Sequence, residues 1–111
     1  MDSTLDYRMI VKSLLADYAK LKPAHGEFDS RVVFDDAHGS YVLLEFGWLN
    51  KGRVHDSLIH VDIIGDKVWI QQDNTEDGIA NELVDAGIPK DKIVLGFRPE
   101  KLRPHTGFAV H

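Results

Sequence analysis

The chain has 111 residues, 43% of them hydrophobic, with a net charge of −5 and no cysteine. This length predicts a single domain over residues 1–111, and the absence of cysteine excludes disulfides and thiolate metal sites. No apolar run approaches the roughly 20 residues needed to cross a bilayer, so we expect a globular cytoplasmic protein with no membrane association.

A first helix is predicted near the N-terminus, where Ser3 or Thr4 can provide the cap. Its apolar residues recur every three or four positions, which is typical of a helix with one buried side. They are Tyr7, Ile10, Leu14, Tyr18 and Leu21. Pro23 and Gly26 then predict the end of the helix.

Four strands are predicted next, over residues 28–34, 40–49, 53–64 and 67–72. Gly65-Asp66 has the glycine first, as a type II′ hairpin turn requires, and Lys51-Gly52 is the predicted turn before it. A second helix begins at Asn74 or Thr75 and ends at Gly87. Residues 93–97 and 108–110 are predicted to be short pairing segments. The fold class is therefore α+β: an antiparallel meander sheet of four or more strands, with an N-terminal helix and a second helix covering its apolar face.

The two hairpin turns set the predicted register, because side chains alternate between the two faces of a strand. The apolar face and the second helix are expected to bury Leu44, Phe46, Trp48, Ile59, Val61, Ile63, Val68, Ile70, Leu83 and Val84. The polar face is expected to carry Tyr41, Glu45, His60, Asp62, Trp69 and Gln71, with His60 opposite Gln71. This register also leaves Leu43 and Leu58 on the polar face, where another part of the protein would have to cover them.

The polar face suggests a possible His/carboxylate site. His60 and Asp62 point the same way from one strand, and Glu45 lies diagonally near His60. With Gln71 and Asp73 they could form a metal or acid–base site. Polar residues are normal on the solvent side of a sheet, however, and a flat face does not make such ligands converge. No catalytic residue, metal or cofactor is therefore predicted.

The same face carries two large aromatic side chains, Trp69 and Tyr41. Aromatic rings beside polar groups are frequent in protein interfaces. We therefore expect this face to contact another protein chain. Twofold association of two copies through it, giving a homodimer, is the simplest case.

Charge is distributed unevenly along the chain. Residues 1–87 hold 8 Lys and Arg against 16 Asp and Glu, whereas residues 88–111 hold 5 against 2. Arg98, Lys101 and Arg103 belong to this basic tail. Nucleic-acid binding depends on cations that neutralise phosphates, so the acidic body predicts weak direct DNA binding at most. A small contact through the basic tail remains an alternative.

Short pieces of sequence with a characteristic order run along nearly the whole chain. They include Tyr7-Arg8, Gly47-Trp48, Arg53-Val54-His55, Ile59-His60-Val61-Asp62-Ile63, Lys67-Val68-Trp69-Ile70-Gln71, Gly87-Ile88-Pro89 and Thr106-Gly107-Phe108-Ala109-Val110. On these pieces the chain resembles the XisI family, named for the XisI controlling factor of fdxN element excision in cyanobacteria.

The resemblance implies a process and carries over no catalytic residue. XisI-like proteins are associated with a DNA rearrangement that a separate recombinase carries out, and an XisH-like protein is a natural companion. We therefore expect a non-enzymatic accessory protein that acts by protein–protein binding in DNA element excision or a related two-gene module. The alternatives are a small enzyme or metal-binding protein that uses His60, Asp62 and Glu45, and a weak DNA binder that uses the basic tail.

Overall fold

The computed structural model describes residues 3–21 and 27–111 of the chain. Its elements are α1 (Ser3–Ala19), β1 (Glu27–Asp35), β2 (Ser40–Leu49), β3 (Gly52–Ile64), β4 (Lys67–Asp73), α2 (Ala80–Asp85) and β5 (Ile93–Leu95), with 3-10 turns over Lys90–Lys92 and Glu100–His105. None of the described helices is both long and apolar enough to cross a membrane. The predicted helix stop at Pro23 and Gly26 lies outside the described residues, as do the side chains of the predicted caps Ser3 and Thr4.

The five strands form one sheet in the order β1-β2-β3-β4-β5, so the predicted meander is confirmed. The first three pairings are antiparallel, whereas β5 runs parallel to β4. The predicted pairing segment at residues 108–110 appears as a single parallel bridge between Val94 and Ala109. This bridge adds the end of the chain to the outer edge of β5.

Both α-helices pack on one face of the sheet, which we call the helix face. The α1 stripe contributes Tyr7, Val11 and Leu15, and the second helical region contributes Ile79 and Leu83 to the same cluster. The sheet side of this cluster is Tyr41, Leu43, Ile59, Val61, Ile63, Val68 and Ile70. The predicted α+β fold with helices over an apolar sheet face is therefore confirmed, as is burial of Leu83 and of the predicted residues on β3 and β4.

The predicted faces of β2 are wrong, because the pairing of β2 with β3 contains a bulge. The two-residue turn is Asn50-Lys51, since Leu49 pairs with Gly52. Leu44 then pairs with Ser57, but Leu43 pairs with Ile59, which leaves Leu58 as an extra residue on β3. One extra residue reverses the alternation of side chains beyond it.

The bulge therefore turns the other set of β2 side chains toward the helices. Tyr41 and Leu43 are fully buried. Leu44 and Phe46 are only half-buried on the opposite face, and Trp48 is 51% exposed, so their predicted burial in the core is wrong. Leu43 and Leu58, which the predicted register left on the polar face, both pack with the core cluster.

A second bulge alters the pairing of β3 with β4. Asp62 pairs with Trp69 as predicted, but His60 pairs with Gln72 and not with Gln71. Gln71 is the extra residue between the pairs His60–Gln72 and Val61–Ile70. Because Gln71 is the extra residue, its side chain does not follow the regular alternation along β4.

The second helix is shorter than predicted, since it begins at Ala80 and not at residue 74 or 75. Asp73 holds the loop before it: its Oδ2 accepts a hydrogen bond from the Ile79 backbone N–H at 2.7 Å, and its Oδ1 accepts from the Thr75 N–H at 3.0 Å. The predicted stop is confirmed, since Gly87 has a φ of 118° and the next N–H, of Ile88, bonds to the Leu83 carbonyl at 3.0 Å.

Candidate functional site

The face of the sheet opposite α1 and α2 carries four of the six residues predicted for the binding site. We call it the far face. The four residues are His60, Asp62, Trp69 and Gln71, which lie on the two strands whose faces were predicted correctly. Tyr41 and Glu45 do not join them, because the bulge at Leu58 places the β2 residues with odd numbers on the helix side.

Asp62 gathers three neighbouring polar side chains on the far face. Ser40 Oγ donates to Asp62 Oδ1 at 2.7 Å, and His60 Nε2 lies 2.9 Å from the same oxygen. Gln71 Nε2 donates to Asp62 Oδ2 at 3.3 Å. The His60 and Asp62 side chains are 36% and 20% exposed, so the cluster is partly shielded but open to water. We call these four residues the Asp62 cluster.

The geometry of the Asp62 cluster does not match an activated serine. A serine nucleophile is activated by a base that accepts its proton, with the acid holding the base on its far side. Here Ser40 donates directly to Asp62, and His60 binds the same carboxylate oxygen. The cluster is therefore a polar network centred on one carboxylate, in which Ser40 and His60 both bind the same oxygen.

The remaining members of the alternative His/carboxylate site lie elsewhere. Asp73 is occupied by the loop before α2, and Glu45 is on the helix side. Within the described ranges, no group of three or more His, Asp or Glu side chains converges closely enough to hold a metal ion.

Tyr41 and Asp36 form a separate polar contact at the edge of the helix side. Tyr41 Oη donates to Asp36 Oδ1 at 2.8 Å, and Lys12 Nζ binds Asp36 Oδ2 at 2.7 Å. Burial, followed by the bond to Asp36, raises the pKa of Tyr41 to about 12. The bonds from Lys12 and Tyr41 hold the pKa of Asp36 below its usual value. Through Asp36, these bonds link Lys12 of α1 to Tyr41 at the start of β2.

Trp69 on the far face is covered by the basic tail. The Arg103 guanidinium lies 5.2 Å from the centre of a Trp69 ring. Arg103 also donates from Nε to the Arg98 carbonyl and from Nη1 to the Val110 carbonyl, each at 3.1 Å. Arg103 therefore fastens the C-terminal segment to the sheet, whereas Arg98 and Lys101 are exposed.

The sequence prediction missed a partly exposed apolar strip on the far face. It consists of every second residue of β2, namely Val42, Leu44, Phe46 and Trp48, which we call the β2 strip. Val33, 46% exposed, pairs with Val42 from the neighbouring strand and widens it. None of these side chains belongs to the core cluster of the described residues.

Cationic side chains lie over the rings of the β2 strip. The Arg31 guanidinium is 5.6 Å from the centre of the Phe46 ring, and that of Arg53 is 5.4 Å from a Trp48 ring. The His55 ring lies 6.0 Å from the Phe46 ring. Asparagine tolerates a left-handed backbone better than most residues, and Asn50, with a φ of 58°, marks the position of the turn. It does not indicate the bulge at Leu58 that exposes the β2 strip.

Comparison with known proteins adds a family and two solved structures. The family model described as "XisI protein" matches residues 1–110. No curated protein matches the chain. A crystal structure of a XisI-like protein from Anabaena variabilis has 31% sequence identity and a TM-score of 0.89, covering 97% of this chain and 99% of that one. The crystal structure of the fdxN element excision controlling factor XisI from the same organism has 31% identity and a TM-score of 0.84, covering 99% and 100%.

Proposed function

The chain belongs to the XisI family, and we propose on this premise that it is a non-enzymatic controlling protein that acts by binding another protein. The process is excision of a DNA element or a related two-gene module, because its relative from Anabaena is named as an excision controlling factor. An XisH-like companion is the partner in this proposal, and the cytoplasm is the compartment.

The observation that carries the proposal is the β2 strip on the far face. Trp48 is 51% exposed and Val33 is 46% exposed, beside the half-buried Leu44 and Phe46. A contiguous apolar patch on a protein surface often marks a site of interaction with another molecule. The helices cannot cover it, since they occupy the other side of the sheet.

The composition around the strip supports a protein partner. Arginine and aromatic residues are enriched in the centres of protein interfaces and among the side chains that dominate binding energy. Arg31 over Phe46 and Arg53 over Trp48 provide two such pairs side by side. The Asp62 cluster borders the other end of the strip, where His60 pairs with Val42, and it provides polar groups that can orient a partner. A nucleic acid is less favoured as the partner, because the chain as a whole has a net charge of −5.

The test is capture of the purified XisH-like companion by this chain and by Phe46→Ser and Trp48→Ser variants. Loss of a central aromatic residue should weaken binding by at least roughly tenfold. Met9→Ser is the matched control, because Met9 is 65% exposed but lies on α1, in the layer opposite the strip. Equal capture by all four proteins would contradict the proposal. Trp69→Ala would then report whether the interface includes the Asp62 side of the face.

A further inference from the structure

The outer edge of β1 is long and regular. β1 pairs with β2 over nine consecutive residues, from Glu27 to Asp35, without a register shift. No described strand pairs with its other side, because β1 stands at the end of the strand order. Natural edge strands are usually protected from further pairing by charged side chains, especially lysine, by proline, by a bulge or by short length. The sequence of β1, EFDSRVVFD, has neither lysine nor proline, and its charged residues are of both signs, so they can pair with those of a second copy.

The second half of β1 is self-complementary. In an antiparallel pair of two copies centred on Val33, this residue faces its own copy, and Val32 faces Phe34. Arg31 faces Asp35 at both ends of the paired segment. The exposed apolar side chains of β1, Val33 at 46% and Phe34 at 37%, would thereby be covered. Opposite charges and apolar pairs across strands both stabilise a sheet.

The faces also agree in this arrangement. A twofold axis perpendicular to the sheet keeps each residue opposite one on the same face. Arg31 and Val33 are on the far face, because they pair with Leu44 and Val42, whereas Val32 is on the helix side with Leu43. The two helix layers would then lie on one side of a continuous sheet and the two far faces on the other.

Other registers are less favourable. Centring the pair on Arg31 places this cation opposite itself, and centring it on Val32 places Asp29 opposite Asp35. Centring it on Ser30 pairs Asp29 with Arg31 but leaves Phe34 beyond the paired segment. Shifts by one residue place the helix side of one copy against the far face of the other. Of these registers, only the one centred on Val33 pairs both the opposite charges and the exposed apolar side chains.

Asp35 is available as an ionised partner. Its Oδ2 lies 2.7 Å from His38 Nδ1, and this hydrogen bond holds the pKa of Asp35 below its usual value. Asp35 Oδ1 also accepts the His38 backbone N–H at 3.2 Å, but the Asp35 side chain is still 47% exposed, so its carboxylate can accept a further donor. The Arg31 guanidinium is on the required face, since it lies over Phe46.

We propose that two copies of this chain pair through their β1 strands, antiparallel and centred on Val33, to form one continuous sheet. This dimer covers Val33 and Arg31 at the border of the far-face surface, and it leaves the four side chains of each β2 strip free. It can form whether or not those four side chains bind another protein.

Cysteine cross-linking tests the register directly, because the natural chain has no cysteine. Directly opposite residues have Cβ atoms about 4.5–5.5 Å apart, close to disulfide range. Val33→Cys should form a disulfide-linked dimer under mild oxidation at least roughly tenfold faster than Ile64→Cys, given that close approach. Ile64 is the matched control, because it is 54% exposed and lies next to the β3–β4 turn. Equal rates for the two variants would overturn the proposal.

A charge exchange provides the second test. Arg31→Asp and Asp35→Arg should each raise the dimer dissociation constant by at least roughly tenfold, because each creates two like-charged pairs. The double variant should recover dimerisation, and a mixture of the two single variants should form a heterodimer with both pairs complementary. Circular dichroism checks that each variant is folded. A wild-type chain that stays monomeric in sedimentation at its highest soluble concentration, or a double variant no better than the single ones, would refute the β1 dimer.

Discussion

Replacing Arg103 with alanine should release the C-terminal segment from the far face. Its guanidinium lies 5.2 Å from a Trp69 ring and makes two hydrogen bonds of 3.1 Å to the carbonyls of Arg98 and Val110. Through one side chain, these contacts join Trp69 on β4 to two points of the C-terminal segment, Arg98 and Val110. Alanine would remove all of them at once.

The cost follows from these contacts. A hydrogen bond contributes about 0.5–1.5 kcal/mol net, and a cation–π contact at a partly exposed site about 0.5–1 kcal/mol. Two hydrogen bonds and one ring contact therefore predict a loss of about 1.5–4 kcal/mol in the free energy of opening residues 96–111. Lysine at position 103 should lose less, because it keeps the charge but lacks the planar fork of donors.

Hydrogen exchange measures this opening at two backbone amides. The Gly96 N–H bonds to the Ile70 carbonyl at 2.9 Å, and the Ala109 N–H bonds to the Ile93 carbonyl at 2.8 Å. Both should exchange roughly 10- to 1,000-fold faster in Arg103→Ala, which is the loss above converted at about 1.4 kcal/mol per factor of ten. Arg98→Ala is the control, since Arg98 stacks on Phe97, a ring that is itself 43% exposed. Unchanged exchange in Arg103→Ala would refute the assigned role of this residue.

Three further predictions concern the core, one close turn and high pH. Ile63→Ala should lower the free energy of unfolding by about 2–5 kcal/mol in urea, because Ile63 is 7% exposed in the main cluster; a loss below about 1 kcal/mol would place it outside the core. Gly39→Ala should lower the free energy of unfolding more than Gly65→Ala does. Both glycines have φ near +65°, but only at Gly39 would the new Cβ come within 2.7 Å of a backbone oxygen, that of Ile63. Equal losses in the two variants would contradict this contact. Burial raises the pKa values of Tyr18 and Tyr41 from 10.0 to about 12, and the hydrogen bonds of Tyr18 to Glu82 and of Tyr41 to Asp36 add to this rise. Their contribution to stability is therefore full below pH 10 and is lost as the pH rises toward about 12. Tyr41→Phe should flatten this decline in unfolding measurements above pH 10, and an unchanged slope would count against the Tyr41 assignment.

Local sequence patterns predicted the strands and their order because turn chemistry and alternation act over a few residues. Gly65-Asp66 gave the correct pairing of Ile64 with Lys67, and alternation along β3 gave the correct buried set. The bulge at Leu58 could not be inferred in the same way, because it is stabilised by packing of this side chain against the helix layer. A single inserted residue therefore reversed the predicted faces of β2.

The candidate site shows the same division between near and distant contacts. His60 and Asp62 are two residues apart on one strand, so their convergence was predictable, and Gln71 reaches them across a short hairpin. Ser40 and Arg103 join this face from other strands and from the tail, which local spacing does not report. The start of α2 was misplaced because Asp73, and not the residue next to the helix, holds the Ile79 N–H.

The single bridge between Val94 and Ala109 has a consequence for polymerisation. Open-ended fibrils require a protein to present two free strand edges, so that every added molecule exposes a new template. In this chain the edge at β5 has only three residues, and the incoming C-terminal segment already occupies part of it. Once β1 has paired, the described strands offer no second long free edge, so strand addition that starts at β1 stops at two chains.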